Sequence, residues 1–218
     1  MRIQNERHAL NETHKVALSK QRSWRQFYKE TAKRPPAATL GLAIWLFEAE
    51  SIRQRQRFAV DLGCGAGRDT VELLRRGWKA LAVDKETQAI RLTRAAAIKH
   101  HRRLRTTLAS IENVRLPKCD LVNASWCLPF CSPKHFNSLW QRIIASIRPG
   151  GRFAGHFFGV HDGWITDSGM TFHTRTHVKK LLRGFEKELF LEKEWDGTTA
   201  SGKKSIGMFT RSLPENSD

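Results

Sequence analysis

Short apolar runs alternate with amphipathic segments along most of the chain, and this alternation is its main structural signal. Five runs have the length and composition of strands: 58–62, 79–83, 107–111, 120–124 and 152–158. Apolar residues at helical spacing indicate helices at 37–50, 86–105, 133–147 and 176–182. A further helix follows the first strand and ends at about residue 76. This order predicts an α/β fold, with a largely parallel sheet covered by helices on both faces.

The first 36 residues do not follow this alternation. They are polar and basic, and Trp24, Phe27 and Tyr28 fall on one side of a predicted helix. Pro35 and Pro36 end that helix, because proline cannot continue one. We therefore predict a basic helical arm at 1–36, which precedes the folded domain.

The last third of the chain changes to a β pattern. Runs at 188–194 and 205–211 flank a stretch rich in turn residues, as the strands of an antiparallel hairpin would. We therefore predict one domain over 37–213 that ends in this hairpin, followed by a short tail at 214–218.

Charge adds a second constraint. The 218 residues include 38 Lys and Arg but only 21 Asp and Glu, a formal net charge of +17, which favours contact with anions such as nucleic acid. The longest uncharged stretches are 35–47 and 121–133, with 13 residues each, well below the roughly 20 residues that span a bilayer. The charged N-terminus is unlike a secretion signal, so we predict a cytoplasmic protein with no membrane segment.

Much of the positive charge falls on the predicted helix 86–105. On such a helix, four arginines would lie within an arc of roughly 80°: Arg91, Arg94, Arg102 and Arg105. A stripe of this kind could follow the phosphates of a nucleic acid. The alternative is an ordinary solvated helix face, because most charge runs serve no ligand.

A glycine-rich turn joins the strand 58–62 to the next helix. Residues 60–69 read Val-Asp-Leu-Gly-Cys-Gly-Ala-Gly-Arg-Asp, and glycines at such a turn allow a ligand to approach the main chain. Arg68 stands where the dinucleotide-binding fingerprint needs its last glycine, which disfavours a pyrophosphate ligand. Asp84 ends the next strand, where a carboxylate accepts hydrogen bonds from ribose hydroxyls. A ribose-containing cofactor explains the glycines and Asp84 together better than a structural role does, in which the glycines form a tight turn and Asp84 caps the next helix.

These residues resemble motif I of class I S-adenosylmethionine-dependent methyltransferases, with Asp84 as the acidic residue after the second strand. Residues 120–124 are similar to their fourth strand, and 148–151 to the turn before their fifth. The Gly-Arg-Asp-Thr end of the turn and the aromatic arm are similar to tellurite-resistance-type and thiopurine-type small-molecule enzymes. The resemblance implies a Rossmann-like fold with a seven-stranded mixed sheet and a C-terminal antiparallel hairpin.

Carried over residue by residue, the resemblance also implies a binding site for S-adenosylmethionine. The expected cofactor contacts are Asp61, Gly63, Gly65, Gly67, Arg68, Asp84, Lys85, Ser110, Ile111 and Asn123. The residues expected to line the substrate site or to form a lid are Tyr28, Trp126 and Phe158. Many relatives hold the adenine amino group with an acidic residue near position 110, and the nearest one here is Glu112.

The methyl acceptor is less evident in the sequence. His156 lies near the end of the predicted fifth strand, His161 follows that strand, and both are candidate catalytic bases, because the ordinary pKa of histidine is about 6.5. His156 is equally compatible with a packed core position. The Asn/Asp-Pro-Pro-aromatic motif of adenine-amine methyltransferases is absent after the fourth strand, and nothing indicates a metal.

The sequence therefore predicts a methyltransferase that acts on a small molecule. One alternative is methylation of RNA, or of a protein bound to RNA, through the basic surface. A second alternative is a binding module that holds the cofactor without turnover.

Overall fold

A computed structural model of the chain describes residues 24, 26–28, 30–50, 56–162, 165, 169–198 and 204–214, the last of these by backbone alone. The described residues between 24 and 31 are helical and are called the arm helix below. The helices of the domain are α1 Ala38–Ala49, α2 Arg68–Arg75, α3 Thr87–Ala96, α4 Pro133–Ser146 and α5 Arg175–Leu181. The strands are β1 Phe58–Leu62, β2 Lys79–Asp84, β3 Leu104–Leu108, β4 Cys119–Ala124, β5 Ile147–Gly159, β6 Phe172–His173, β7 Phe185–Thr198 and β8 Lys204–Pro214.

The strands form one mixed sheet in the order β3-β2-β1-β4-β5-β8-β7, and the two-residue β6 pairs with β5. The pairs from β3 to β5 are parallel, whereas β8 runs antiparallel to both β5 and β7. The α/β Rossmann-like fold and the C-terminal hairpin are thus confirmed, with β6 as an addition to the seven strands in line. β1 and β4 meet where the strand order reverses, which is where open α/β sheets bind ligands.

Helices cover the sheet on both faces because its central strands are apolar throughout. All residues of β4 and nearly all of β1 and β2 are buried. One core packs Trp140 of α4 against Phe153 and Phe157 of β5. A second core includes Ile44 of α1 and Leu73 of α2. None of the helices in the described part of the chain is long and apolar enough to cross a membrane.

The helix predicted at 86–105 is shorter than expected. It ends at Ala96, and a 3-10 segment Ile98–Arg103 follows, in which His100 has non-helical angles. β3 then begins at Leu104, opposite Ala80 of β2. Pairing with the sheet overrides helix propensity here, and the two threonines of β3 suit a strand better than a helix.

This shorter helix makes the predicted arginine stripe wrong. Arg91 and Arg94 lie on α3, Arg102 lies in the 3-10 segment and Arg105 lies on β3. Arg94 donates to the Thr106 hydroxyl with its Nε and Nη2 atoms, at 2.9 and 2.6 Å. The four side chains therefore do not share one helical face.

The boundaries predicted at the two ends fall largely outside the described residues. Of the arm at 1–36, the structure describes the arm helix and the residues that lead into α1. β8 ends at Pro214, one residue past the predicted domain end, and 215–218 lie outside the described residues. The division into arm, domain and tail stays a prediction.

Candidate functional site

The glycine-rich turn between β1 and α2 depends on glycines in the left-handed region. Gly63, Gly65 and Gly67 have φ of 63°, 55° and 86°. A Cβ on Gly63 would lie 2.4 Å from the Cβ of Cys127, and one on Gly67 would lie 2.8 Å from the Cα of Thr93. The turn therefore packs tightly against the segment after β4 and against α3, so its main chain is held in one shape.

We expect Gly63→Ala to destabilise the protein by about 2–4 kcal/mol, because it combines a left-handed φ with a steric clash against Cys127. Urea unfolding measures this change. Gly41→Ala on α1 is the matched control: a Cβ there meets nothing within 4 Å, and the change should stabilise the helix by about 0.5–1 kcal/mol. Equal stability of Gly63→Ala and wild type would contradict this account of the turn.

Asp84 connects the end of β2 to this turn. Its Oδ2 accepts a hydrogen bond from Gly65 N at 2.9 Å, and its Oδ1 accepts one from Glu86 N at 2.9 Å. The side chain is 7% exposed. Each carboxylate oxygen can accept a second hydrogen bond. Asp84 thus both shapes the turn and keeps acceptor capacity beside it.

The arm helix lies over the same place. The Tyr28 ring would be 3.5 Å from a Cβ built on Gly65, and Tyr28 is buried. Trp24 stacks with Tyr28 and meets Phe130, which follows β4, edge to face at 5.2 Å. The arm helix therefore bridges the glycine-rich turn and the segment beyond β4.

The Tyr28 hydroxyl lies in an acidic environment. Burial first, and then the charges of Asp84 and Glu86, raise the pKa of Tyr28 well above its ordinary value. The hydroxyl is consequently protonated at any physiological pH. Beside it, the arm helix and the first turns of α3 enclose a pocket of about 390 Å³. The pocket is lined by Trp24, Tyr28, Lys85, Glu86, Thr87, Gln88 and Arg91.

Two buried carboxylates share one amide beneath the turn. Asn123 of β4 donates through Nδ2 to Asp61 Oδ1 at 2.8 Å and to Asp69 Oδ2 at 3.1 Å. The Thr70 hydroxyl also donates to Asp61. The carbonyl oxygen of the Asn123 side chain accepts from the Ser125 hydroxyl at 3.0 Å. This hydrogen bonding fixes the amide with its NH₂ towards both carboxylates.

The two carboxylates differ in charge state. Burial first, and then the charge of Asp69, raise the pKa of Asp61 to about 7. Burial also acts on Asp69, but the charge of Arg68 and hydrogen bonds from Arg68 and Ala37 outweigh it and lower the pKa of Asp69. Asp69 is therefore ionised, whereas Asp61 changes its protonation near neutral pH.

The segment after β3 lies at the same edge of the sheet. Ser110 accepts a hydrogen bond from Glu112 N through its hydroxyl, and Ile111 packs partly buried against the main core. Glu112 accepts from Ser132 N at 2.7 Å and pairs with His135 at 3.2 Å. Glu112 is thus engaged at the start of α4, and no distance in the structure links it to an adenine site.

Aromatic rings pack together where the segment after β4 meets the end of β5. Trp126 has a φ of 60°, the one positive φ among the described non-glycine residues, and its ring lies over that of His156 at 4.0 Å and 9°. Phe158 meets Trp126 edge to face at 6.2 Å. His156 is fully buried and Phe158 is 6% exposed. The structure therefore brings Trp126, His156 and Phe158 together.

The structure changes the chemistry expected of His156. Burial lowers the pKa of His156 to about 3, so the ring is neutral and a much weaker base than an ordinary histidine. His161 is exposed and lies two residues beyond the end of β5. Burial thus favours the packed core position for His156, and the catalytic roles of His156 and His161 stay predictions.

With this geometry described, comparisons with known proteins can be set beside it. A family model for "Methyltransferase domain" matches residues 59–151, which include the glycine-rich turn, Asp84 and Asn123. This part of the chain is therefore similar to a methyltransferase domain. No curated protein sequence matched the chain.

Solved structures of methyltransferases share the fold of this domain. TehB from Haemophilus influenzae superposes with a TM-score of 0.64 at 17% identity over 78% of this chain, which spans 61% of the length of TehB. A 1,6-didemethyltoxoflavin-N1-methyltransferase from Burkholderia thailandensis gives 0.60 at 21% identity, over 92% of this chain and 90% of its own. The N-methyltransferase NodS from Bradyrhizobium japonicum gives 0.61 at 13% identity, over 89% and 100%.

The residues of the methyltransferase domain fit S-adenosylmethionine, its cofactor. Asp84 keeps acceptor capacity for the ribose hydroxyls, next to a turn that has no side chain at Gly65. Asp61 takes its hydrogen bonds from the neutral groups of Thr70 and Asn123, whereas Asp69 pairs with Arg68. A carboxylate bonded to neutral donors suits the cationic amino group of the methionine moiety.

Two contacts of the site were not predicted from the sequence. Asp69 stands in the first turn of α2, where an acidic residue ordinarily complements the helix dipole, so nothing in the sequence singled it out. Phe130 lies in a short 3-10 turn after β4, and its contact with Trp24 joins segments more than 100 residues apart. Neither contact has a local sequence signal.

Proposed function

We propose that this protein transfers a methyl group from S-adenosylmethionine to a small-molecule acceptor. The observation that supports this most is the position of the arm helix. The Tyr28 ring lies against the glycine-rich turn, and the Trp24 ring contacts Phe130 in the segment that follows β4. A site covered in this way admits a small acceptor more readily than a macromolecule.

We assign the cofactor side of this site to the turn and the ends of two strands. Asp84 would hold the ribose, and Asp61, oriented by Asn123, would face the amino group. The backbone of Gly63, Gly65 and Gly67 would form the floor beneath the cofactor. Lys85, Ser110 and Ile111 would border the adenine, while Arg68 acts through its ion pair with Asp69.

We assign the acceptor side to the ring stack of Trp126, His156 and Phe158, with Tyr28 as the lid. When bound, S-adenosylmethionine supplies a methyl group on a sulfonium, and such a transfer depends on alignment more than on acid or base catalysis. The neutral His156 would orient Trp126 through the stack, and the methylated acceptor would release its proton to solvent when the site opens. Trp126 and Tyr28 would exclude water from the covered site.

Transfer of labelled methyl from S-adenosylmethionine into a cell extract tests this proposal. The products are separated by filtration and by nuclease or protease digestion. We expect label in the small-molecule fraction, and Asp84→Ala should abolish most of it. Label that stays with macromolecules and disappears after nuclease treatment would favour methylation of RNA instead. Cofactor binding without label in any fraction would favour a binding module.

A further inference from the structure

Asp69 contacts both the entry to the domain from the arm and the floor of the proposed cofactor site. Its Oδ1 accepts hydrogen bonds from Ala37 N at 3.0 Å and from Arg68 Nε at 2.9 Å. Its Oδ2 accepts from Asn123 at 3.1 Å. Asp69 is 5% exposed, so water does not compete strongly for these contacts.

Ala37 is a well-placed point for fastening the arm. It follows Pro35 and Pro36 directly, and α1 begins at the next residue. With φ near −57° and ψ near 135° it is extended, so its N–H belongs to the arm side of the helix end. The hydrogen bond from Ala37 therefore fixes where the arm leaves the domain, and with it the direction in which Tyr28 can reach Gly65.

On its other side, Asp69 acts on Asp61 through Asn123. The Asn123 amide has two N–H groups, one directed to each carboxylate. If Asp69 did not accept one of them, the amide would keep only its hydrogen bonds with Asp61 and Ser125, and its position against Asp61 would be less firmly held. The side chains that face Asp61 and Asp69 from the surrounding elements include Arg68, Thr70, Asn123, Ser125, Cys64, Cys127 and His156. Arg68 is the one cation in this set.

We propose that Asp69 is a positioning residue that couples closure of the arm over the site to the orientation and charge of Asp61. Seating the arm supplies the Ala37 N–H and keeps Asp69 as an anion. The anion in turn holds Asn123 against Asp61. This inference rests on the proposed place of Asp61 in the cofactor site, and it adds the link between that site and the arm.

Replacement of Ala37 by proline removes the donated hydrogen bond, and it adds ring atoms at a buried position of the second core. The φ of Ala37 is already one that proline adopts, so Ala37→Pro deletes the N–H with small change in backbone shape. Ala38→Pro is the matched control. It puts proline at the first helical position, where proline is favoured, and it leaves the Ala37 N–H in place.

Each variant is tested by two measurements. Limited trypsin digestion after the exposed Lys33 reports the seating of the arm, and calorimetry reports the affinity for S-adenosylhomocysteine. We expect Ala37→Pro to raise the rate of cleavage after Lys33 and to weaken binding about fivefold or more, whereas Ala38→Pro should behave as wild type. Wild-type cleavage and affinity in Ala37→Pro would overturn the proposal.

Asp69→Asn provides a second test if Ala37→Pro does not fold. The amide oxygen can still accept from Ala37, but its NH₂ would face the NH₂ of Asn123, and the negative charge beside Asp61 is gone. We expect the pH midpoint of S-adenosylhomocysteine binding to fall by about one unit or more. A merely structural role would lower affinity at every pH and leave the midpoint in place, which would contradict the coupling.

These results are distinguishable from failure of the proposed function. If the wild-type protein did not bind S-adenosylhomocysteine at any pH, the assignment of the cofactor site would be wrong. The effect of Ala37→Pro on cleavage after Lys33 would still be measured in the free protein. Faster cleavage there would support the fastening of the arm by Asp69, and an unchanged rate would refute it.

Discussion

Asp84→Ala is expected to weaken binding of S-adenosylhomocysteine by roughly 10- to 100-fold, which is about 1–3 kcal/mol. Two losses add in this variant. The charge-assisted hydrogen bonds to the ribose hydroxyls disappear, and the N–H groups of Gly65 and Glu86 lose their acceptor. Calorimetric titration of the folded variant measures the change.

Two further variants sharpen this test. Asp84→Asn keeps the shape, but it places an NH₂ against Gly65 N or Glu86 N, so we expect it to weaken binding as well. Glu48→Ala is the control, because Glu48 is exposed and contacts Arg76, at a distance from the turn. If Asp84→Ala bound as tightly as Glu48→Ala, Asp84 would not be a cofactor ligand.

The second large effect is a dependence of cofactor binding on pH. The pKa of Asp61 is raised to about 7, by burial first and by the charge of Asp69 second. An amino group bound beside Asp61 favours the ionised carboxylate, so binding below pH 7 must release the proton. We expect affinity for S-adenosylhomocysteine to fall about tenfold for each pH unit below 7 and to be constant above it.

Proton release is measured by titrating the protein with S-adenosylhomocysteine in buffers of different ionisation enthalpy. At about pH 6 we expect close to one proton released for each cofactor bound, and at about pH 8.5 we expect none. Asp61→Asn should bind more weakly and without this proton release. If wild type and Asp61→Asn released the same number of protons at both pH values, Asp61 would not be the titrating group.

The raised pKa of Asp61 affects the stability of the free protein in the opposite direction: stability decreases as the pH rises, whereas cofactor affinity increases. Between the ordinary pKa of Asp and about 7, the folded state holds a proton on Asp61 that the unfolded state has lost. The contribution of Asp61 to the free energy of unfolding is therefore fully present below that range. It decreases as the pH rises towards 7 and is lost above it.

Much of the fold was predictable because its signals are local. The apolar runs of β1, β2 and β4 are buried on both faces, and the glycine-rich turn joins β1 to α2 at the place where it was predicted. The prediction of one helix from 86 to 105 was wrong, because the end of this segment pairs with the sheet through Leu104 and Ala80. No property of the basic segment itself reports that pairing.

The sequence indicated candidate residues for the site but not the contacts among them. Asp61 and Asn123 were expected near the cofactor, yet the sequence did not show that one amide joins Asp61 to Asp69. The sequence also indicated His156 as a base with an ordinary pKa. Burial under Trp126 removes that property, and burial arises from contacts between strands and loops that are distant in sequence.

The central claim is that S-adenosylmethionine binds on the glycine-rich turn, beside Asp84 and beneath Tyr28. A crystal structure of the protein with S-adenosylhomocysteine tests this claim most directly. The account predicts ribose hydroxyls on the Asp84 carboxylate, the amino group facing Asp61, and the Tyr28 ring closed over the ligand. Ligand bound elsewhere, with the hydrogen bonds of Asp84 to Gly65 and Glu86 unchanged and no contact to Asp61, would contradict it.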